Sequence, residues 1–170
     1  MKHRFGAAVA AAALATIAHT APAQASDAVA ELIDQEGQTV GEVELRDTPH
    51  GALLHVRLHN LPSGAHAFHI HEAGVCEGDF SSAGGHYNPE GVAHGIDDPD
   101  GMHAGDMPNI HVPETGELEI EVLNHQVSVE QLLDEEDGTS IVIHEGPDDY
   151  ISDPAGDAGP RIACGVIEAS

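Results

Sequence analysis

Glu117-Leu118-Glu119-Ile120-Glu121-Val122 alternates an acid with an aliphatic residue at every step. A period of two puts Leu118, Ile120 and Val122 on one face of an extended strand and the three glutamates on the other, as in a sheet with one wet face. The same alternation recurs outward along the chain. Leu54, Val56 and Leu58 alternate with His55, Arg57 and His59, and Val43 and Leu45 alternate with Glu42, Glu44 and Arg46. Gly41 sits where a bulge can fall. Further strands are predicted over residues 28–33, 65–72, 139–144 and 162–167. Turn signals such as Glu36-Gly37 and Asp137-Gly138 separate them, so the pattern reads as an all-β antiparallel sandwich or barrel. One helix is predicted over 129–134, where Ser128 can cap the first turn and Gln131 can complete a capping box. No internal repeat and no second domain is visible.

Composition narrows the function. At 170 residues the chain is one domain, and 41% hydrophobic residues suffice for a packed core. Aromatics are only 3% and Trp is absent, so that core is aliphatic. Five Lys and Arg against 30 Asp and Glu give a net charge of −25, which excludes a phosphate-backbone (nucleic-acid) binder and argues against docking on anionic membranes. Fourteen histidines are the outlier, and histidine is the commonest metal ligand.

Residues 1–25 read as a signal peptide. Lys2, His3 and Arg4 form a basic start, residues 6–18 form an apolar run too short to span a bilayer, and Ala23-Gln24-Ala25 has the form of a cleavage site. No Cys follows the run to carry a lipid anchor. The mature domain, residues 26–170, then holds 30 acids against Arg46, Arg57 and Arg161 and has no Lys, a net charge of −27. A periplasmic or secreted location is expected.

Two stretches lack strand periodicity: residues 74–109, and residues 146–160, which are rich in Asp, Gly and Pro. Structureless loops of that length in a compact domain are functional or disordered. The histidines favour function. His69 and His71 are two apart on a predicted strand, so both point to one face. On its own such a pair is more often an ordinary exposed feature. The first long loop, however, adds His86, His94, His103 and Asp106, and His144 ends another strand. Metal ligation can order a loop that has no core of its own. Several imidazoles suit copper or zinc, and three with an aspartate oxygen suit zinc.

Phe68-His69-Ile70-His71-Glu72, Gly84-Gly85-His86-Tyr87-Asn88-Pro89, His94-Gly95, His103-Ala104-Gly105-Asp106 and Arg161-Ile162-Ala163-Cys164-Gly165-Val166-Ile167 together resemble the copper/zinc superoxide dismutases. The resemblance spans nearly all of the mature chain, in the family's order. It implies an immunoglobulin-like Greek-key β-barrel or sandwich with two long active-site loops. It implies copper on His69, His71, His86 and His144, and zinc on His86, His94, His103 and Asp106, with His86 bridging the two. Asp148 matches the carboxylate that links a copper-side and a zinc-side histidine. Arg161 matches the arginine that holds the superoxide anion, and Cys76 and Cys164 match an intrasubunit disulfide. Two cysteines in an exported chain favour the same pairing. The implied reaction is the dismutation of superoxide to dioxygen and hydrogen peroxide, with His86 and Arg161 acting in it.

The remaining histidines, His50, His55, His59, His66, His111 and His125, have no place in that metal set, and His55 and His59 fall on the outward parity of their strand. Asp97, Asp98 and Asp100 read as a solvated turn. A copper-storage protein would not need Arg161 or a shared imidazole, and a copper-only or metal-free structural relative would lack zinc ligands or Arg161. None of these is missing. The short, acidic second loop and the interval from Cys76 to His86 resemble the family's bacterial branch, which leaves monomer and homodimer both open. The steering lysines of many relatives have no counterpart here.

Overall fold

The computed structural model describes residues 27–170, so the expected leader over residues 1–25 lies outside the described residues. The strands are β1 (Ala28–Ile33), β2 (Thr39–Thr48), β3 (Gly51–Leu58), β4 (Gly64–His66), β5 (Phe68–His71), β6 (Ile110–Val112), β7 (Leu118–Asn124), β8 (Ser140–His144), β9 (Arg161–Val166) and β10 (Glu168–Ala169); helix α1 (Val129–Asp134) lies between β7 and β8. In space the main sheet runs β5-β8-β9-β1-β2-β3-β7, with β10 also on β1, while β4 and β6 form a separate pair. Every strand pairing is antiparallel. Strands distant in sequence are neighbours, β9 beside β1 and β3 beside β7. That is the Greek-key arrangement of an all-β barrel, and it is the expected fold class.

The period-two segments become the wall of one aliphatic core. Ala52, Leu54 and Val56 of β3 are wholly buried and alternate with half-exposed residues, and Val43 and Leu45 of β2 pack beside them. Leu118, Ile120 and Val122 are only half-buried, because β7 ends the sheet and has one strand neighbour. The bulge expected at Gly41 is present: the register between β1 and β2 slips as Leu32 pairs with Gly41 and Ile33 with Thr39. A Cβ on Gly41 would overlap the Arg57 carbonyl and lie 2.7 Å from Leu58 Cδ2, so this close approach needs glycine. The helix also forms as expected. Ser128 caps it and Gln131 closes the capping box.

One expectation fails. Residues 65–72 do not make a single strand, because β4 and β5 belong to different sheets. Ala67 is the break: its N–H donates to Gly146 O and its carbonyl accepts from His144 N, so its backbone bonds go to the end of β8 and the loop beyond. The short strands β6 and β10 have no counterpart among the predicted elements, since neither carries enough residues to show a period.

The loop over 74–109 is ordered by tertiary contacts. Cys76 is bonded to Cys164 on β9, and Phe80 and Ala83 pack against Val142 and Cys164 in a small second cluster. Isolated bridges join His71 to His86 and His69 to Asp106, tying the loop alongside β5.

Candidate metal centre

On β5, side chains alternate as the sequence requires, yet both faces are buried. Phe68 and Ile70 enter the aliphatic core, while His69 and His71 lie beneath the loops. His144, the last residue of β8, joins them from the neighbouring strand, and His86 comes over from the first loop. One nitrogen from each of His69, His71, His86 and His144 forms a single group in which the ligand atoms all lie within 4.8 Å of one another. His86, His94, His103 and Asp106 form a second group under the same limit. All seven residues are buried, and His86 belongs to both groups. The structure thus brings together every residue of the two expected ligand sets.

Hydrogen bonding selects which nitrogen faces inward. His71 Nδ1 donates to Gly84 O at 3.1 Å and His144 Nδ1 to Gly159 O at 3.1 Å, which turns each Nε2 toward the group. His69 is reversed: its Nε2 donates to Asp148 Oδ2 at 2.7 Å, leaving Nδ1 inward. The inward atoms His69 Nδ1, His71 Nε2, His86 Nε2 and His144 Nε2 are all buried with no hydrogen-bond partner. Four converging, unpaired imidazole nitrogens are costly in a dry interior unless they ligate a metal. This donor set fits copper, and the three imidazoles with one carboxylate fit zinc.

Asp148 joins the two groups from the second loop. Its Oδ2 accepts from His69 and its Oδ1 accepts from His94 Nε2 at 3.0 Å. The carboxylate therefore fixes ring direction and tautomer on both sides. Gly156 packs directly on it, and with φ +64 a methyl there would overlap the carboxylate. Asn109 anchors the backbone of Asp148 by two bonds, donating from Nδ2 to Asp148 O and accepting from Asp148 N, both 2.8 Å.

Burial holds His71, His86 and His144 neutral, and hydrogen bonds hold Asp106 and Asp148 charged. Burial, with the neighbouring histidines, lowers His144 to about 3 and depresses His71 well below the usual histidine range. Burial likewise lowers His86 to about 4 against the opposing pull of Asp106. For Asp106, burial works upward, but bonds from His86 and from the Gly95 N–H outweigh it and bring the carboxyl to about 2. Asp148 is held far below the carboxylate range: burial opposes this, and the bonds from His69 and His94 prevail. Unprotonated imidazoles and ionised carboxylates are the forms that bind metal.

Arg161, first residue of β9, is half-buried, and burial lowers it from the ordinary guanidinium value. It donates to Phe80 O and, at 2.6 Å, to Gly84 O. The second bond lands on a loop residue whose carbonyl also takes the His71 bond, so guanidinium and imidazole share one anchor.

The structure also separates the other histidines. His50, His59, His111 and His125 are exposed, and His55 is half-buried in a polar cluster with Glu119 and Arg57. His66 is different. It is buried, with Nδ1 2.9 Å from His144 O and Nε2 2.9 Å from Pro62 O, so it braces the backbone of a residue in the first group. No local sequence signal marks His66 or Asn109 as part of the site, because their partners are 78 and 39 positions away.

The sequence profile of the family described as copper/zinc superoxide dismutase (SODC) matches residues 39–167. The Cu-Zn superoxide dismutase 1 of Aquifex aeolicus (strain VF5) is 50% identical over 145 residues, covering 82% of this chain and 86% of that protein. Among solved structures, a SOD-like protein from Bacillus subtilis superposes with a TM-score of 0.75 at 36% identity, over 81% of this chain and 96% of that one. The Cu/Zn superoxide dismutase from Brucella abortus gives a TM-score of 0.70 at 30% identity, over 82% and 98%.

Proposed function

The chain belongs to the copper/zinc superoxide dismutase family, and from that premise we propose how its residues perform the dismutation of superoxide to dioxygen and hydrogen peroxide. His69, His71, His86 and His144 hold copper; His86, His94, His103 and Asp106 hold zinc. When bound, copper would supply a one-electron redox couple and zinc a fixed positive charge. The observation that carries the assignment is the pair of buried donor groups sharing His86, with the four inward nitrogens of the first group lacking any other partner.

The chain's own residues do the rest. Arg161, clamped by two loop carbonyls, receives the superoxide anion beside His71 and His144. His86 Nε2 takes up and returns a proton over the cycle, while its Nδ1 stays on the Asp106 side, 2.8 Å from Oδ1. Asp148 keeps His69 and His94 in register so that neither ring turns when charge changes. Two superoxide anions and two protons give one dioxygen and one hydrogen peroxide. The disulfide and the bacterial relatives accord with an exported protein; we place it in the periplasm or outside the cell after removal of residues 1–25, acting as a monomer or homodimer. Among the described residues no helix is long and apolar enough to cross a membrane.

Metal analysis and superoxide turnover of the purified protein test this reading. One copper and one zinc per chain are expected. His69→Ala or His144→Ala removes copper and activity and leaves the fold, whereas Asp106→Ala weakens zinc first. Full activity in either histidine variant, or loss of copper ahead of zinc in the aspartate variant, overturns the ligand assignment.

A further inference from the structure

Arg161 borders a pocket of about 240 Å³ whose other walls are Gln35, Asp79, Ser81, Gly159 and Pro160. On its inner side the guanidinium is close enough to His71 and His144 for its charge to act on both. The pocket and the candidate metal group thus share Arg161, and Asp79 is the acid on the pocket wall. That carboxylate is placed rather than free. Its Oδ1 accepts from Ser81 N at 3.1 Å, one residue beyond Phe80, whose carbonyl receives Arg161. Asp79 and Arg161 thus hang from the same short turn. They form no ion pair within 4 Å among the described residues, so the carboxylate leaves Arg161 unneutralised yet sits in its field.

We propose that Asp79 tunes anion capture at Arg161: a fixed negative charge on the wall of the Arg161 pocket that weakens the capture of small anions, superoxide included. This rests on the proposed function for its substrate, but not for its electrostatics. An exposed carboxylate acts mostly through water, so its influence is that of one unit charge at short range, screened by salt. It adds a local opposition to the diffuse repulsion of the acidic surface.

The test compares Asp79→Asn with Glu121→Gln in the metal-loaded protein. Asn keeps the oxygen that caps Ser81. Glu121 is exposed on β7, four strands from β9 along the sheet, and its loss removes the same unit of net charge. Azide affinity, followed by NMR at the Arg161 side chain of the reduced protein, is expected to tighten about two- to threefold in Asp79→Asn at low ionic strength. It should change by less than about 1.3-fold in Glu121→Gln, and the two should converge near 0.5 M salt, where the Debye length is a few ångströms. The superoxide rate should follow the same order. In Arg161→Gln, the Asp79 carboxyl midpoint should move upward, since a neighbouring cation is lost. Equal effects of the Asp79 and Glu121 variants on azide, or an unmoved Asp79 midpoint, overturn the proposal. Azide binding decides it even in a protein without superoxide turnover, which would sink only the parent reading.

Discussion

His86 and Asp106 show how single residues make this site and limit it. Burial makes His86 and His144 more readily neutral than in an unfolded chain: His86 falls to about 4 and His144 to about 3 from the ordinary 6.5. A depressed histidine means that the unfolded chain binds more protons below pH 6.5, so stability falls as pH drops from 6.5 toward the folded values. Asp106, lowered to about 2 from 3.8, acts in the same direction further down, its stabilisation being lost as pH falls through that lower window. The metal-free protein should therefore lose melting temperature steadily between about pH 7 and 4, by the equivalent of a few kcal/mol. Metal-loaded protein should resist over the upper part of that range, because protons and metal compete for the same nitrogens. Calorimetry across pH checks both; a flat profile for the metal-free chain would show that these imidazoles are not held neutral.

At the scale of elements, the two long loops owe their order to a few cross-links. The disulfide from Cys76 to Cys164 spans 88 positions, and the chain-entropy model assigns a loop of that length about 4–5 kcal/mol as an upper value. The bond also secures the turn that carries Phe80 and Gly84, the two acceptors of Arg161. Cys164→Ser should consequently lower stability by up to about 4 kcal/mol. It should also loosen Arg161 and raise hydrogen exchange over residues 76–86 more than over β2 and β3. Uniform exchange across loop and barrel would mean that Phe80 and Ala83 hold the loop by packing alone. The second loop depends instead on Asn109 and on Tyr150, whose hydroxyl accepts from Asn109 N at 2.7 Å, so the two loops brace each other across Asp148.

Over the whole molecule, the question is how an anion reaches a protein this acidic. Superoxide dismutases are themselves a standard case of electrostatic steering, so steering as such is not new here. What differs is the balance. Arg161 at about 6 Å from the anion is worth roughly 0.7 kcal/mol in water, while the net charge of −25, taken at about 20 Å, opposes it by roughly 5 kcal/mol without screening. At about 0.15 M salt the Debye length of about 8 Å reduces that opposition to about 0.5 kcal/mol and spares the short contact more. The superoxide rate should rise or hold between about 0.01 and 0.3 M ionic strength, and Arg161→Gln should lower it throughout. Stopped-flow kinetics over that range decides the matter. A rate falling steeply with salt would show that local attraction already dominates at the site.

Much of this was legible in the residues themselves. Alternation at Leu54–Leu58 and Leu118–Val122 depends only on neighbours two apart, so it announced strands and their buried faces. The capping box at Ser128 and Gln131 is likewise a matter of three positions. The residues of the two candidate metal groups were named from the resemblance of their motifs to the family, and the structure brings them together. The remainder belongs to tertiary structure. Sequence could not show that β4 and β5 part at Ala67, because that depends on where Gly146 and His144 lie. Nor could it show that His66 is buried, since burial depends on which segments fold over a side chain. The sharing of Asp148 by His69 and His94, 79 and 54 positions away, exists only once both loops have closed over β5. Local periodicity is set by backbone geometry, whereas convergence is set by packing between distant segments.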